Sequence, residues 1–202
     1  NVAVYERGAP ASYLLQELSA ADVQWTDDRS WRFGESHFRR EGDTLSIALR
    51  ARLPGGGRLE GDVRVQGSTC RPCPEVTHSA EEGSEHGWTP LLVPAFGEAD
   101  LDIGDGRRLR FSGRAYHDRN HSTVPLGALG IEEWFWSRAH HGDEERVIYW
   151  LKGPGGEKTL ALRLGPGGGV ELLRDATLTL EPDGRARYGM PRYRGFTAKV
   201  AG

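Results

Sequence analysis

The sequence predicts an all-β, antiparallel fold, and three features carry that expectation. Apolar residues recur at every second position, as in Leu45, Ile47 and Leu49, or Leu160, Leu162 and Leu164. Such a set lies on one face of a strand. Glycine is abundant, 28 of 202 residues, and clustered. Pro54 to Gly57, Asp105-Gly106, Gly153 to Gly156, Gly165 to Gly169 and Pro182-Asp183-Gly184 each separate apolar runs. These clusters supply positive φ and end regular structure, so each is expected to be a hairpin turn. Helical spacing occurs only at Ala11 to Ala21, through Leu14, Leu15 and Leu18. That stretch reads equally as a strand followed by a loop. Many short strands at close spacing mean a sandwich or an up-and-down barrel.

In chain order, Asn1-Val2-Ala3-Val4-Tyr5 reads as a strand. The chain opens on Asn1 rather than Met, which suggests a processed chain or an excised piece. After Leu45 to Leu49 comes Leu59, Gly61, Val63 and Val65, again alternating. A polar, proline-rich loop from Gly67 to Gly83 leads to His86-Gly87-Trp88-Thr89-Pro90. Leu109 to Asn120 is a further strand, and Ser122 to Gly130 breaks the pattern. The domain boundary is placed there, giving β units at 1–124 and 125–202. Val147 to Leu151 is a continuous apolar strand, followed by Leu160 to Leu164, Val170 with Leu172, and Leu178 with Leu180. The second unit, from about Ile131, is short for a closed barrel.

Net charge is −3, with 27% charged and 37% apolar residues, so bulk electrostatics favours neither a nucleic acid nor an anionic membrane. No apolar run approaches a membrane span and no signal peptide is visible. Cys70-Arg71-Pro72-Cys73 could be a redox pair, half a zinc site or a local disulfide. A zinc site would need two more ligands, for which His78 and His86 are the near candidates. The thioredoxin reading needs a βαβ context that is absent, and two loop cysteines without a catalytic role are the better reading. His117, His121, His140 and His141 do not converge on a strand as they would on a helix. No metal is expected.

Chemistry-bearing residues crowd into Gly113 to Arg138. On a strand, Ser112, Arg114, Tyr116, Asp118 and Asn120 share one face, while Leu109, Phe111 and Ala115 share the other. A carboxyl group in an apolar barrel has a raised pKa and can act as a general acid, which singles out Asp118. It could equally be a carboxylate paired with Arg114 or Arg119, or a turn cap. An acid role requires that Arg114 turn away and that His86 or Tyr116 be its polar neighbour. Tyr116 could bond substrate or water, face a cation, or simply be a half-buried strand tyrosine. His86 and Trp88 share parity, as a tuning imidazole and a pocket wall or as a loop histidine beside a core tryptophan. Trp134 and Trp136 fall on one face with Glu132 and Arg138, lining a cavity or forming a core.

Asn1-Val-Ala-Val-Tyr5, His86-x-Trp88-x-Pro90, Gly113-x-x-Tyr116-His117-Asp118-x-Asn120 and Trp134-x-Trp136-Ser137-Arg138-Ala139 resemble the carotenoid 1,2-hydratase (hydroxyneurosporene synthase) family. They also resemble the wider lipocalin-like group of AttH-type proteins and some natural-product Diels–Alderases. The resemblance covers most of Asn1 to about Trp150. It implies two lipocalin-like antiparallel β-barrel or half-barrel units with a hydrophobic pocket near their junction. It puts the catalytic positions on His86, Trp88, Tyr116 and Asp118, with His117, Asn120, Trp134, Trp136 and Arg138 expected at the substrate. Here Arg119 replaces the second histidine of the family's Tyr-His-Asp-His, and Asn120-His121-Ser122 replaces its Asn-Trp-Gly. The activity so implied is acid-catalysed hydration, or proton-initiated cyclisation, of an isoprenoid or polyene double bond, with no cofactor. The rivals are a pericyclase and a non-enzymatic carrier of a hydrophobic ligand. A cytoplasmic location is expected, with peripheral membrane contact as a route for the substrate.

Overall fold

The computed structural model describes residues 2–7, 9–27, 29–53, 56–71, 76–78, 83–104, 106–153, 156–185 and 191–200. Strands dominate these residues, every named sheet pairing is antiparallel, and no α-helix occurs among them. The all-β expectation holds. Backbone contacts divide the chain into two compact units: Asn1–Thr69 with Ala95–Tyr116, and Cys70–Pro94 with His117–Gly202.

In the first unit β1 (Val2–Glu6) and β2 (Ala9–Leu14) form a hairpin. The possible helix at Ala11 to Ala21 is therefore strand, then loop, with a single 3-10 turn at Ala20–Asp22. Leu14 pairs with Val2 and is buried, so the ladder and the core both favour the extended form. β3 (Val23–Asp27), β4 (Ser30–Phe33), β5 (Ser36–Glu41), β6 (Thr44–Arg52) and β7 (Arg58–Thr69) follow as an antiparallel meander. β7 neighbours the long strand β9 (His86–Asp102), which carries β8 (Val76–His78) and neighbours β10 (Arg108–Ser122). The core of the unit gathers Val4, Leu14, Leu49, Ala51, Leu59, Ala99, Leu101 and Ile103. Gly61 sits where β9 comes close: a Cβ there would lie 2.1 Å from the Asp100 carbonyl oxygen. Phe111, on the apolar face shared with Leu109 and Ala115, is 56% exposed. It borders an open apolar cleft of about 670 Å³ with Val4, Phe38, Leu49 and Leu109, so its ring faces apolar neighbours without being covered.

In the second unit β11 (Glu133–His141), β12 (Glu144–Gly153), β13 (Gly156–Leu164) and β14 (Val170–Leu173) form a four-stranded meander. The register sets Trp134, Trp136, Arg138 and His140 opposite Leu151, Tyr149, Val147 and Glu145. Directly opposed residues of an antiparallel pair share a face. Leu160, Leu162 and Leu164 extend that face on β13. The hairpin of β15 (Thr177–Arg185) and β16 (Pro191–Lys199) covers the opposite face, where Phe196 meets Phe135 at 5.0 Å and the Tyr193 hydroxyl donates to Glu133 Oε2 at 2.8 Å. Gly165 to Gly169 turns as expected, closed by the Gly165 N–H on the Gly169 carbonyl at 2.8 Å. Pro182-Asp183-Gly184 does not turn. It lies within β15, where register shifts on both sides of Pro182 mark an irregularity that takes up a residue without a ladder N–H.

Candidate active site

Four elements of the second unit build the site. The start of β9 is buried without interruption from His86 to Pro90. It is fastened to the end of β10 through Thr123 and Glu85: the Thr123 N–H donates to the Glu85 carbonyl at 2.9 Å, and the Glu85 N–H donates to Thr123 Oγ1 at 2.8 Å. Gly87 lies between them. A Cβ at Gly87 would stand 2.1 Å from His121 Cε1, so the imidazole packs directly on bare backbone. His121 also faces Glu85, Nε2 to Oε1 3.7 Å.

His86 and Trp88 point the same way, as their parity implies, and Tyr149 of β12 receives both. Trp88 stacks on Tyr149 with ring centroids 4.9 Å apart and planes 22° apart. His86 lies nearly parallel to the same ring at 6.5 Å, and its Nε2 is 2.7 Å from the Tyr149 hydroxyl. Trp134 of β11 closes the cluster, 5.7 Å from Tyr149 and 6.1 Å from His86. Trp88 is wholly buried, while His86 and Tyr149 are nearly so. Burial of a tryptophan on this scale contributes up to about 5 kcal/mol, an upper estimate.

Asp118 meets this cluster from β10. Its Oδ2 accepts the Trp88 indole N–H at 2.7 Å, and its Oδ1 lies 3.5 Å from Asn120 Nδ2. Asp118 is half-buried, and Arg114 and Arg119 are exposed. The indole as a hydrogen-bond partner of the carboxyl was not anticipated by the sequence, which named His86 or Tyr116 for that place. Burial first, and the Asp118 carboxylate second, push the Tyr149 hydroxyl far above its ordinary pKa, so it stays protonated. Tyr116 and His117 are half-buried two positions and one position earlier on β10.

Arg138 and Trp136 share the face of Trp134 but serve different surroundings. Trp136 is 38% exposed and opposes Tyr149 in the ladder. Arg138 Nη1 lies 3.6 Å from Glu145 Oε2, and His140 Nδ1 lies 3.4 Å from Oε1. Glu145 has no exposed surface. Neither Tyr149 nor Glu145 was singled out from the sequence. Among the described residues no three His, Cys, Asp or Glu side chains gather as metal ligands. Cys70 is buried, and Cys73 lies outside the described residues. Among the described residues no helix is long and apolar enough to cross a membrane.

Compared with known proteins, the chain is similar to the acyclic carotenoid 1,2-hydratase of Rubrivivax gelatinosus, 32% identical over 118 residues. The match covers 58% of this chain and 27% of that protein, so it spans about a quarter of the relative's length. No solved structure matches. The family described as carotenoid hydratase CrtC matches residues 1–190 and so takes in every element of the site. The chain belongs to the carotenoid hydratase CrtC family.

Proposed function

We propose that this chain hydrates a double bond of an acyclic isoprenoid or carotenoid by acid catalysis, with Asp118 as the proton donor. The observation that carries this reading is the indole N–H of Trp88 on Asp118 Oδ2, at the edge of an aromatic cluster. In the acid form Oδ2 accepts that bond and Oδ1 carries the proton. Oδ1–H gives the proton to the less substituted alkene carbon, and the π pair forms the new C–H bond. A tertiary carbocation remains. The Trp88 N–H then faces a full carboxylate, and a hydrogen bond to a charged oxygen is about twice as strong as a neutral one. The bond therefore tightens as charge develops, the condition for stabilising a transition state rather than a ground state.

The ring faces of Trp134 and Tyr116 are proposed to stabilise the cation, at about 0.5–2 kcal/mol each when desolvated. Water held by His86 adds to the cation, and its surplus proton returns to Asp118, so the net change is addition of one water. His117, Asn120, Trp136 and Arg138 are proposed as substrate contacts. If water is kept out, an internal alkene traps the cation and a ring forms instead.

Asp118→Asn tests the reading. It should lower turnover of an acyclic carotenoid by about 100-fold or more, the usual scale for a lost general acid, while leaving binding of that carotenoid unchanged. A variant that keeps its rate would point to a pericyclase that acts by shape alone. Binding without any product from the parent chain would point to a carrier.

A further inference from the structure

We infer that Tyr149 is a positioning residue for this chemistry, holding Trp88 on Asp118 with its ring and fixing the orientation and tautomer of His86 with its hydroxyl. The inference rests on the hydration reading for its catalytic consequence, but its geometry stands apart from it.

Tyr149 touches both partners at once. Its ring stacks on the Trp88 indole at 4.9 Å, and that indole's edge donates to Asp118 at 2.7 Å. A stacked ring confines the indole to one plane, and the plane sets where Nε1–H points. Its hydroxyl lies 2.7 Å from His86 Nε2. Tyr149 is 2% exposed, and a buried hydroxyl is costly unless it is bonded. The packing demands only a ring of this size, which phenylalanine would supply; the hydroxyl answers to His86.

Because burial keeps the phenol protonated, its O–H is available to donate to Nε2. Where it does donate, Nε2 is the acceptor and the His86 proton sits on Nδ1. An imidazole so fixed acts as a donor at Nδ1 and does not compete with Asp118 for the proton released by water. Trp134, 5.7 Å from Tyr149 and opposed to Leu151 in the ladder, packs beside the same ring. One side chain thus holds groups on β9 in the orientation that the acid on β10 requires.

Nitrogen-15 NMR of the intact chain, with turnover of an acyclic carotenoid in detergent micelles, tests this. In the parent protein His86 Nε2 should show the shift of an unprotonated nitrogen that accepts a hydrogen bond, and Trp88 Nε1–H should be displaced by Asp118. Tyr149→Phe should change the His86 nitrogen signals, leave the Trp88 indole signal in place, and lower kcat about tenfold with KM within about twofold. Tyr149→Leu should move both signals. Unchanged His86 nitrogens in Tyr149→Phe, or a Tyr149→Phe variant with the parent kcat, would overturn the inference. A fully active Asp118→Asn alongside the expected Tyr149→Phe signals would instead overturn the acid assignment and leave the hold on His86 supported.

Discussion

Trp88→Phe separates what the indole does as a donor from what it does as a packing group. Phenylalanine keeps an aromatic face against Tyr149 and loses only the N–H and the volume of the second ring. The lost bond, 2.7 Å to Asp118 Oδ2, is made to a group that becomes charged as the proton leaves. Hydrogen bonds to charged partners contribute about 1.5–3 kcal/mol and neutral ones about half of that, so the difference of about 0.8–1.5 kcal/mol should lower kcat roughly 4- to 13-fold. KM should move little, because the bond is strongest when the carboxylate has formed. Trp88 has no exposed surface, so the smaller ring also leaves a cavity costing about 1–3 kcal/mol of stability. Product formation from an acyclic carotenoid gives the first quantity, and urea unfolding of the same preparations gives the second. A folded Trp88→Phe protein with the parent kcat would refute the account of Trp88.

Two further expectations concern stability alone. Glu145→Ala removes a carboxylate without exposed surface and leaves Arg138 and His140 facing the gap, so urea unfolding should show a loss of about 3–5 kcal/mol; a variant as stable as the parent would show that the cluster does not hold the β11–β12 hairpin. Asp100 sits below its ordinary pKa, chiefly through the hydrogen bond from Arg108, opposed by partial burial and joined by Arg110. A folded pKa below the unfolded one gives stability that is present above the ordinary aspartate value and is lost as pH falls through the lowered one. Asp100→Asn should therefore unfold more easily than the parent at neutral pH and low salt, with the gap closing in acid and in high salt; a gap that widens in acid would contradict the assignment.

The sequence shows some of this site plainly because parity is reliable where one face of a strand is polar and the other is not. Trp134, Trp136 and Arg138 share a face as expected, and His86 and Trp88 point the same way. Tyr149 is hidden for the opposite reason. In Val147-Ile148-Tyr149-Trp150-Leu151 all but Ile148 are buried, so alternation does not distinguish the face that meets β9. Glu145 is hidden by its neighbours: between Glu144 and Arg146, next to a hairpin turn, it reads as solvated, and only its register with His140 shows it is enclosed. The indole's bond to Asp118 joins residues 30 positions apart and has no local signal at all. Pro182-Asp183-Gly184 shows that turn chemistry also suits an irregular strand. The sequence pattern breaks at about residue 124, whereas the contact units group 70–94 with the later chain, because β9 and β10 each contribute to both units.

Acid-catalysed hydration passes a proton from Asp118 to a carbon atom, and carbon keeps the record of that event. Turnover of an acyclic carotenoid in deuterated water, with mass spectrometry and NMR of the product, reads it directly. Proton donation by Asp118 places one non-exchangeable deuterium on the carbon next to the new tertiary alcohol, and that product is lost in Asp118→Asn. A product free of carbon-bound deuterium, or the same labelled product formed at the parent rate by Asp118→Asn, would contradict it.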